Sequence, residues 1–194
     1  MLKKFSIMLL IILSLFIAGC NNERGNNLYI GVEGEENEAA RLTLMENLYI
    51  GLFEYNGTND VEPILAESFY YDETGKKMFI KINEGFLWSD GSPITVNDVV
   101  TGFQNNIRNA SDKYSYQYKY LDNKVPENIK VNEEGLLEIT LSREFTDFEK
   151  VLAMPIFYPV MNSEDFLNGP YSGDFVVEKK SGDKIVLVPR DPEK

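Results

Sequence analysis

An α+β fold, one compact unit in which helices cover a mostly antiparallel sheet, is what this 194-residue sequence predicts. Three observations carry the prediction. Three segments join strand-like runs through short turns that contain Gly, the pattern of β-hairpins. Two longer segments, residues 39–53 and 95–107, space their apolar residues as one face of a helix. No internal repeat or low-complexity tract interrupts them, and 43% apolar with 26% charged residues is the composition of an ordinary folded domain.

The first residues are an address rather than part of that fold. MLKKFSIMLLIILSLFIAGC places Lys3 and Lys4 before an apolar run from Phe5 to Ala18 and ends in small residues. A helix that spans a bilayer needs about 20 apolar residues, whereas a secretory signal has this charged start and shorter core. Ile17-Ala18-Gly19-Cys20 resembles the bacterial lipobox, which implies cleavage between Gly19 and Cys20 and a diacylglyceryl group on the Cys20 sulfur. Cys20 is the only cysteine, so no disulfide forms within the chain. Burying acyl chains is worth about 0.8 kcal/mol per CH₂, and two chains anchor stably where one holds marginally. The expectation is a lipoprotein signal peptide over residues 1–19 and a flexible polar tether over residues 20–27, with the protein on the outer face of the bacterial cytoplasmic membrane.

Leu28 to Val32 is rich in aromatic and β-branched residues and reads as a strand, running into the acidic loop Glu33-Gly34-Glu35-Glu36-Asn37-Glu38. Helix 39–53 follows, with Leu42, Met45, Leu48, Tyr49 and Leu52 on one face and Glu54-Tyr55-Asn56-Gly57 as its exit. The first hairpin joins 68–71 to 77–82 through Asp72-Glu73-Thr74-Gly75. Thr95 caps the second helix and Asp98 returns the hydrogen bond, leaving Val96, Val99, Val100, Phe103 and Ile107 as the apolar face. Residues 109–123 carry Tyr114, Tyr116, Tyr118 and Tyr120 at alternate positions, as an edge strand or a packed loop. A second hairpin runs from Lys130 to Leu141 through Asn132-Glu133-Glu134-Gly135. A short helix over Thr146–Leu152 turns Phe148, Val151 and Leu152 inward, and a third hairpin joins 175–180 to 184–188.

The charge excludes one class of partner and narrows the chemistry. Nineteen basic against 31 acidic residues give a formal charge of -12, the opposite of the clustered cations that nucleic acid requires. Signal cleavage removes two lysines and no acid, so the exported chain is more acidic still. There is no His, so imidazole catalysis and His-ligated metal are excluded. Glu33 to Glu38 lacks the spaced ligands and central Gly of a calcium loop, and a solvated turn is the preferred reading. Asp72-Glu73 and Glu133-Glu134 sit in predicted turns and face solvent. Nothing places two carboxylates across a pocket, so no catalytic residue, metal or cofactor is assigned and an enzyme is not expected. Asn56-Gly57-Thr58 and Asn109-Ala110-Ser111 match the glycosylation sequon, which carries no meaning behind a bacterial export signal.

Leu65-Ala66-Glu67-Ser68-Phe69, the hairpin through Ile82, and GFLWSDGSPITVNDVV at residues 85–100 carry a resemblance. Together they resemble the extracellular solute-binding proteins of ABC importers in the oligopeptide, dipeptide and nickel class, known as family 5. LYIGLF at residues 48–53 and Asn168-Gly169-Pro170-Tyr171 are similar to further landmarks of that family, in the same order. Two departures stand out: no "LDP" follows the first strand, and the segment between Val160 and Asn168 is short. The long run reads as scaffold, because Asp90-Gly91 turns the chain, Pro93 fixes φ and Thr95 starts a helix. The resemblance implies part of the first lobe of a periplasmic-binding-protein-like (type II) fold. It further implies a lipid-anchored substrate-binding component of a peptide-type importer, with an oligopeptide or dipeptide ligand and an ABC permease as partners. It places the loop around Glu33 and Glu35 where the first lobe faces the ligand cleft. The likeness covers residues 28–194 but about the first third of a typical member, and Pro189-Arg190-Asp191-Pro192 echoes a landmark past which members continue. Residues 28–194 are thus expected to form an incomplete N-terminal lobe. Good sites bury about 70 to 90% of a ligand, so a chain without the second lobe is expected to bind weakly. The alternative is a reduced lipoprotein that keeps the scaffold as an interaction or adhesion module without transport.

Overall fold

The two ends of the described chain meet in one sheet. The structure, a computed structural model, describes residues 28–31, 38–108, 119–121, 128–161 and 165–191. Strand β1 (Leu28–Gly31) begins this sheet, and Val32, the last residue of the predicted strand, lies outside the described residues. The last predicted hairpin forms as drawn, and its second strand pairs antiparallel with β1, Leu28 opposite Leu187 and Ile30 opposite Ile185. Ile30, Ile185 and Leu187 are buried there, which is what selects this register over a slip by one residue.

Helix α1 (Glu38–Leu48) carries the predicted apolar face: Leu44, Met45, Leu48 and Tyr49 are buried, and Leu42 is half-buried. It stops five residues before the predicted end at 53, for a tertiary reason. The Leu48 carbonyl accepts from the N–H groups of Ser172 at 3.1 Å and Gly173 at 2.8 Å. The Gly51 carbonyl accepts from Leu65, and that of Leu52 from Ile64 and Ala66. Partners distant in sequence thus satisfy the carbonyls that a continued helix would use. Leu52 remains buried outside the helix. Glu54 to Gly57 is no helix exit. Strands β2 (Phe53–Tyr55) and β3 (Val61–Pro63) form a small hairpin there, with Phe53 opposite Pro63. Asn56-Gly57 still turns the chain, Gly57 at φ 83° and the Asn56 side chain accepting from Thr58 N at 3.1 Å.

The other two predicted hairpins join side by side. Strands β4 (Ala66–Tyr71), β5 (Lys77–Ile82), β6 (Ile129–Val131) and β7 (Leu137–Thr140) form an antiparallel sheet in the order β4-β5-β7-β6. Met78, Ile80 and Ile82 alternate inward from β5, and the outward Glu138 is buried against Lys77 at 2.8 Å and Lys130 at 3.8 Å. Glu73, Glu133 and Glu134 face solvent as predicted. Asp72 is half-buried instead, because its carboxylate ties the turn. It accepts from Lys76 N at 2.9 Å, Lys77 N at 3.0 Å and Thr74 Oγ1 at 2.8 Å, and these bonds, that from Lys77 foremost, hold its carboxyl below the ordinary range.

The run 85–100 is scaffold in the structure. Asp90 accepts from Ser92 N at 2.9 Å and Gly91 takes φ 87°, while Trp88 and Ile94 go into the core. Helix α2 (Val96–Arg108) has the reciprocal cap that its sequence announces. Thr95 N donates to Asp98 Oδ2 at 2.8 Å, and Asp98 N to Thr95 Oγ1 at 3.3 Å, an arrangement worth about 1 kcal/mol. Tyr114, Tyr116 and Tyr118 lie outside the described residues. Helix α3 (Phe148–Leu152) begins two residues later than predicted and buries Phe148, Val151 and Leu152 as expected. Two 3₁₀ turns follow, Pro155–Phe157 and Phe166–Asn168, and then β8 (Phe175–Ser181) and β9 (Lys184–Pro189), giving the sheet order β1-β9-β8. Among the described residues, the mostly antiparallel sheet of the prediction is divided into three antiparallel sheets around one continuous core.

Candidate functional site

Where the three-stranded sheet meets the rest of the molecule, two segments cross side by side. One leaves α1 through Leu48 to Gly51, and the other returns through Tyr171 to Asp174 into β8. Ser172 N and Gly173 N donate to Leu48 O, and Ile50 N donates to Ser172 Oγ at 3.0 Å. The loop before α2 holds the returning segment from its far side: Ser89 N donates to Tyr171 O at 2.7 Å and Tyr171 N to Ser89 Oγ at 3.0 Å. Arg190, just past β9, closes the set. Its backbone N–H donates to Asp174 O at 2.7 Å and its Nη1 to Ser172 O at 3.1 Å.

Two connected recesses flank the crossing. The larger, of about 450 Å³, is lined by Ile50, Phe86, Phe175 and Pro189, with Asp174, Arg190 and Asp191 among its polar groups. That volume is in the range of about 300 to 1,000 Å³ typical of small-ligand sites. The smaller, of about 140 Å³, has Glu46, Glu54 and Tyr158 on its walls and shares Ile50, Gly173, Asp174 and Phe175 with the first. Carboxylates, a guanidinium and apolar walls are the kinds of group that small-ligand sites use. Among the described residues, no group of three His, Cys, Asp or Glu is placed to hold a metal ion.

The tyrosines around the crossing are perturbed by burial. Tyr49 donates to Phe166 O at 2.6 Å and Tyr171 to Leu167 O, and their rings meet at 5.9 Å. Burial raises the pKa of Tyr49, reinforced by Tyr171 and Asp165; burial likewise raises Tyr171, reinforced by Asp165. Tyr158 is pushed up to about 12 by burial and then by Glu46 and Glu54. Each phenol holds its proton more tightly folded than unfolded. The associated stability is complete below the ordinary phenol value of 10.0 and is lost as the pH rises toward about 12. The urea midpoint is expected to fall over that interval, and less steeply in Tyr158→Phe; a slope identical in the variant would rule Tyr158 out as a contributor.

Gly19, Cys20, Glu33 and Glu35 lie outside the described residues. The acidic loop leaves β1 at Gly31, which pairs with Lys184, whereas the larger recess takes Pro189 from the other end of β9. Gly31, the last described residue of β1, thus stands at the end of β9 opposite to that recess. The sequence assigns Ile50, Ser172, Asp174 and Arg190 to no site, although Ile50 and Arg190 fall within the family landmarks. The signal available was position: LYIGLF and Asn168-Gly169-Pro170-Tyr171 run straight into the two crossing segments.

Comparison with known proteins gives a consistent result. The family model described as bacterial extracellular solute-binding proteins, family 5, middle region, matches residues 60–192, more than half of the chain. A probable deoxycholate-binding periplasmic protein of Escherichia coli is 26% identical over 181 residues, covering 82% of this chain and 34% of that protein. The substrate-binding domain of an oligopeptide ABC transporter from Bacillus anthracis superposes with a TM-score of 0.65 at 23% identity, over 79% of this chain and 34% of that one. Peptide-bound OppA of Listeria monocytogenes gives 0.65 at 23% identity, over 78% and 34%. At such identities the solved structures establish the fold. The chain spans about a third of the length of these relatives.

Proposed function

Because the chain belongs to the bacterial extracellular solute-binding proteins of family 5, we propose that it is the lipid-anchored substrate-binding component of a peptide-type ABC importer. The match over residues 60–192 carries this reading. Cleavage after Gly19 and diacylation of Cys20 tether it outside the cytoplasmic membrane, where an ABC permease is its partner. The ligand is an oligopeptide or dipeptide, a reading supported by neighbours whose descriptions name oligopeptide transport and a bound peptide. Glu33 and Glu35 contribute carboxylates to that ligand, which is bound and delivered without chemical change.

Two measurements test the proposal. Labelled palmitate fed to expressing bacteria is expected in the wild-type protein and absent from Cys20→Ala; label retained by the variant, or missing from both, removes the anchor. An NMR titration of the processed chain with trialanine is expected to give saturable shifts, reduced in the Glu33→Gln/Glu35→Gln double variant. Because the Escherichia coli relative is named for deoxycholate, that steroid is the competing probe. Saturation by deoxycholate and not by peptide would overturn the peptide reading.

A further inference from the structure

Two Asn-Gly pairs occur in the chain, Asn56-Gly57 and Asn168-Gly169, and the fold holds them differently. Asn56 and Gly57 are both exposed in the turn between β2 and β3. Asn56 Oδ1 accepts from Thr58 N at 3.1 Å and from Thr58 Oγ1 at 2.6 Å, bonds that fold the side chain toward the peptide that follows it. Gly57 takes φ 83°, and nothing stands within 4 Å of where its Cβ would be. At the second pair the side-chain amide is tied down instead. Asn168 Nδ2 donates to Asp165 Oδ2 at 2.7 Å, and Asn168 N to Asp165 O at 3.1 Å, at the end of a 3₁₀ turn. Gly169 is buried, with the Tyr171 ring 3.1 Å from a Cβ built there.

An asparagine side chain is open to attack by the backbone nitrogen of the next residue, and a following Gly leaves that approach clear because it has no Cβ. Two donors on Oδ1 draw electron density from Cγ and stabilise the oxyanion that forms there on attack. Asn132 has the donors without the glycine: its Oδ1 accepts from Glu134 N at 3.0 Å and Leu136 N at 2.9 Å, but the next residue is Glu133. We propose that Asn56 is a site of spontaneous modification, at which the fold promotes rearrangement to isoaspartate. The Gly57 nitrogen gives its proton to hydroxide and attacks Asn56 Cγ. The bond from Cγ to the side-chain nitrogen breaks, and that nitrogen takes a proton from water and leaves as ammonia, which regenerates the hydroxide. Water then opens the succinimide at either carbonyl, leaving isoaspartate or aspartate. The net reaction consumes one water and releases one ammonia, with no change of oxidation state and no partner protein. The isoaspartate form adds a methylene to the main chain of the turn and a carboxylate between Glu54 and Asp60 in sequence.

Incubation of the processed chain at mildly alkaline pH tests this, followed by peptide mass spectrometry and by methyl labelling with a protein isoaspartate methyltransferase. The peptide that contains Asn56 is expected to convert about tenfold or more faster than the one that contains Asn168, whose bond to the Asp165 carboxylate must break first. In urea the two rates are expected to converge, because the difference lies in the fold. Methyl label is expected to be lost in Asn56→Gln, whose longer side chain does not close the five-membered ring, and kept in Asn168→Gln. Thr58→Ala, which removes one donor from Oδ1, is expected to slow conversion at Asn56 by about threefold or more. Conversion at Asn168 as fast as at Asn56 in the folded chain, the same ratio of rates in urea, or a Thr58→Ala chain that converts no more slowly would overturn the proposal.

Discussion

Gly173→Ala is expected to destabilise the protein by about 3 kcal/mol or more and to lower its melting temperature by about 10 °C. A Cβ at this position would stand 2.5 Å from Asn47 O, 2.7 Å from Leu48 C and 2.8 Å from Tyr49 N. All three are backbone atoms, so no rotamer change relieves the contact. Moving the returning segment away would instead break the bonds from Ser172 N and Gly173 N to Leu48 O and that from Ile50 N to Ser172 Oγ. Each of these buried groups would then lack its partner, at a cost of about 1 to 3 kcal/mol apiece. The loss is expected to come with rearrangement of both recesses, since Gly173 lines each of them. Thermal melts of wild type and variant followed by circular dichroism decide the matter; an unchanged midpoint would mean that the two segments do not cross this closely.

Phe157→Ala is expected to cost about 3 to 5 kcal/mol, the range for truncating a fully buried aromatic ring. Phe157 is 2% exposed and sits between two rings, edge-on to Phe103 of α2 at 6.2 Å and to Phe148 of α3 at 6.3 Å. The chain of rings continues from Phe148 to Phe145 at 6.2 Å and to Tyr120 at 4.5 Å. Removing the central ring therefore leaves a cavity and deletes the pairs with Phe103 and Phe148, worth about 0.5 to 1.5 kcal/mol each beyond their area. Phe157→Leu, which keeps most of the volume, is expected to lose less than half as much. Urea unfolding of the three proteins provides the comparison, and equal losses in Ala and Leu would show that filling the volume contributes nothing, which would overturn the cavity account.

Residues that interact within a few positions of one another were legible. The turns at Asp72-Glu73-Thr74-Gly75 and Asn132-Glu133-Glu134-Gly135 satisfy their hydrogen bonds locally. The Thr95–Asp98 cap spans three residues, and the spacing of Val99 and Phe103 is that of one helical face. In each case composition and short-range sterics suffice, and the hairpins and α2 stand where the sequence predicts. The family is legible for the same reason, since its longest motif is such a run of local turn and capping chemistry.

What the sequence could not reveal depends on partners far along the chain. Helix α1 ends at Leu48 because Ser172 and Gly173, more than 120 residues on, claim its last carbonyl. Phe53–Tyr55 becomes a strand because Val61–Pro63 is held beside it by the bonds from Ile64 to Ala66 back to Gly51 and Leu52. β1 finds its partner in β9 rather than in the elements that follow it. The recesses arise at that same crossing, so Ile50, Tyr158, Asp174 and Arg190 carry no local mark of their position. Local hydrogen bonding and spacing determine the hairpins, the capped helix and the family; the closing of long loops, whose reward is a shared core and not any neighbour in sequence, decides where the elements stop, how the three sheets are ordered and where a solute has room to bind.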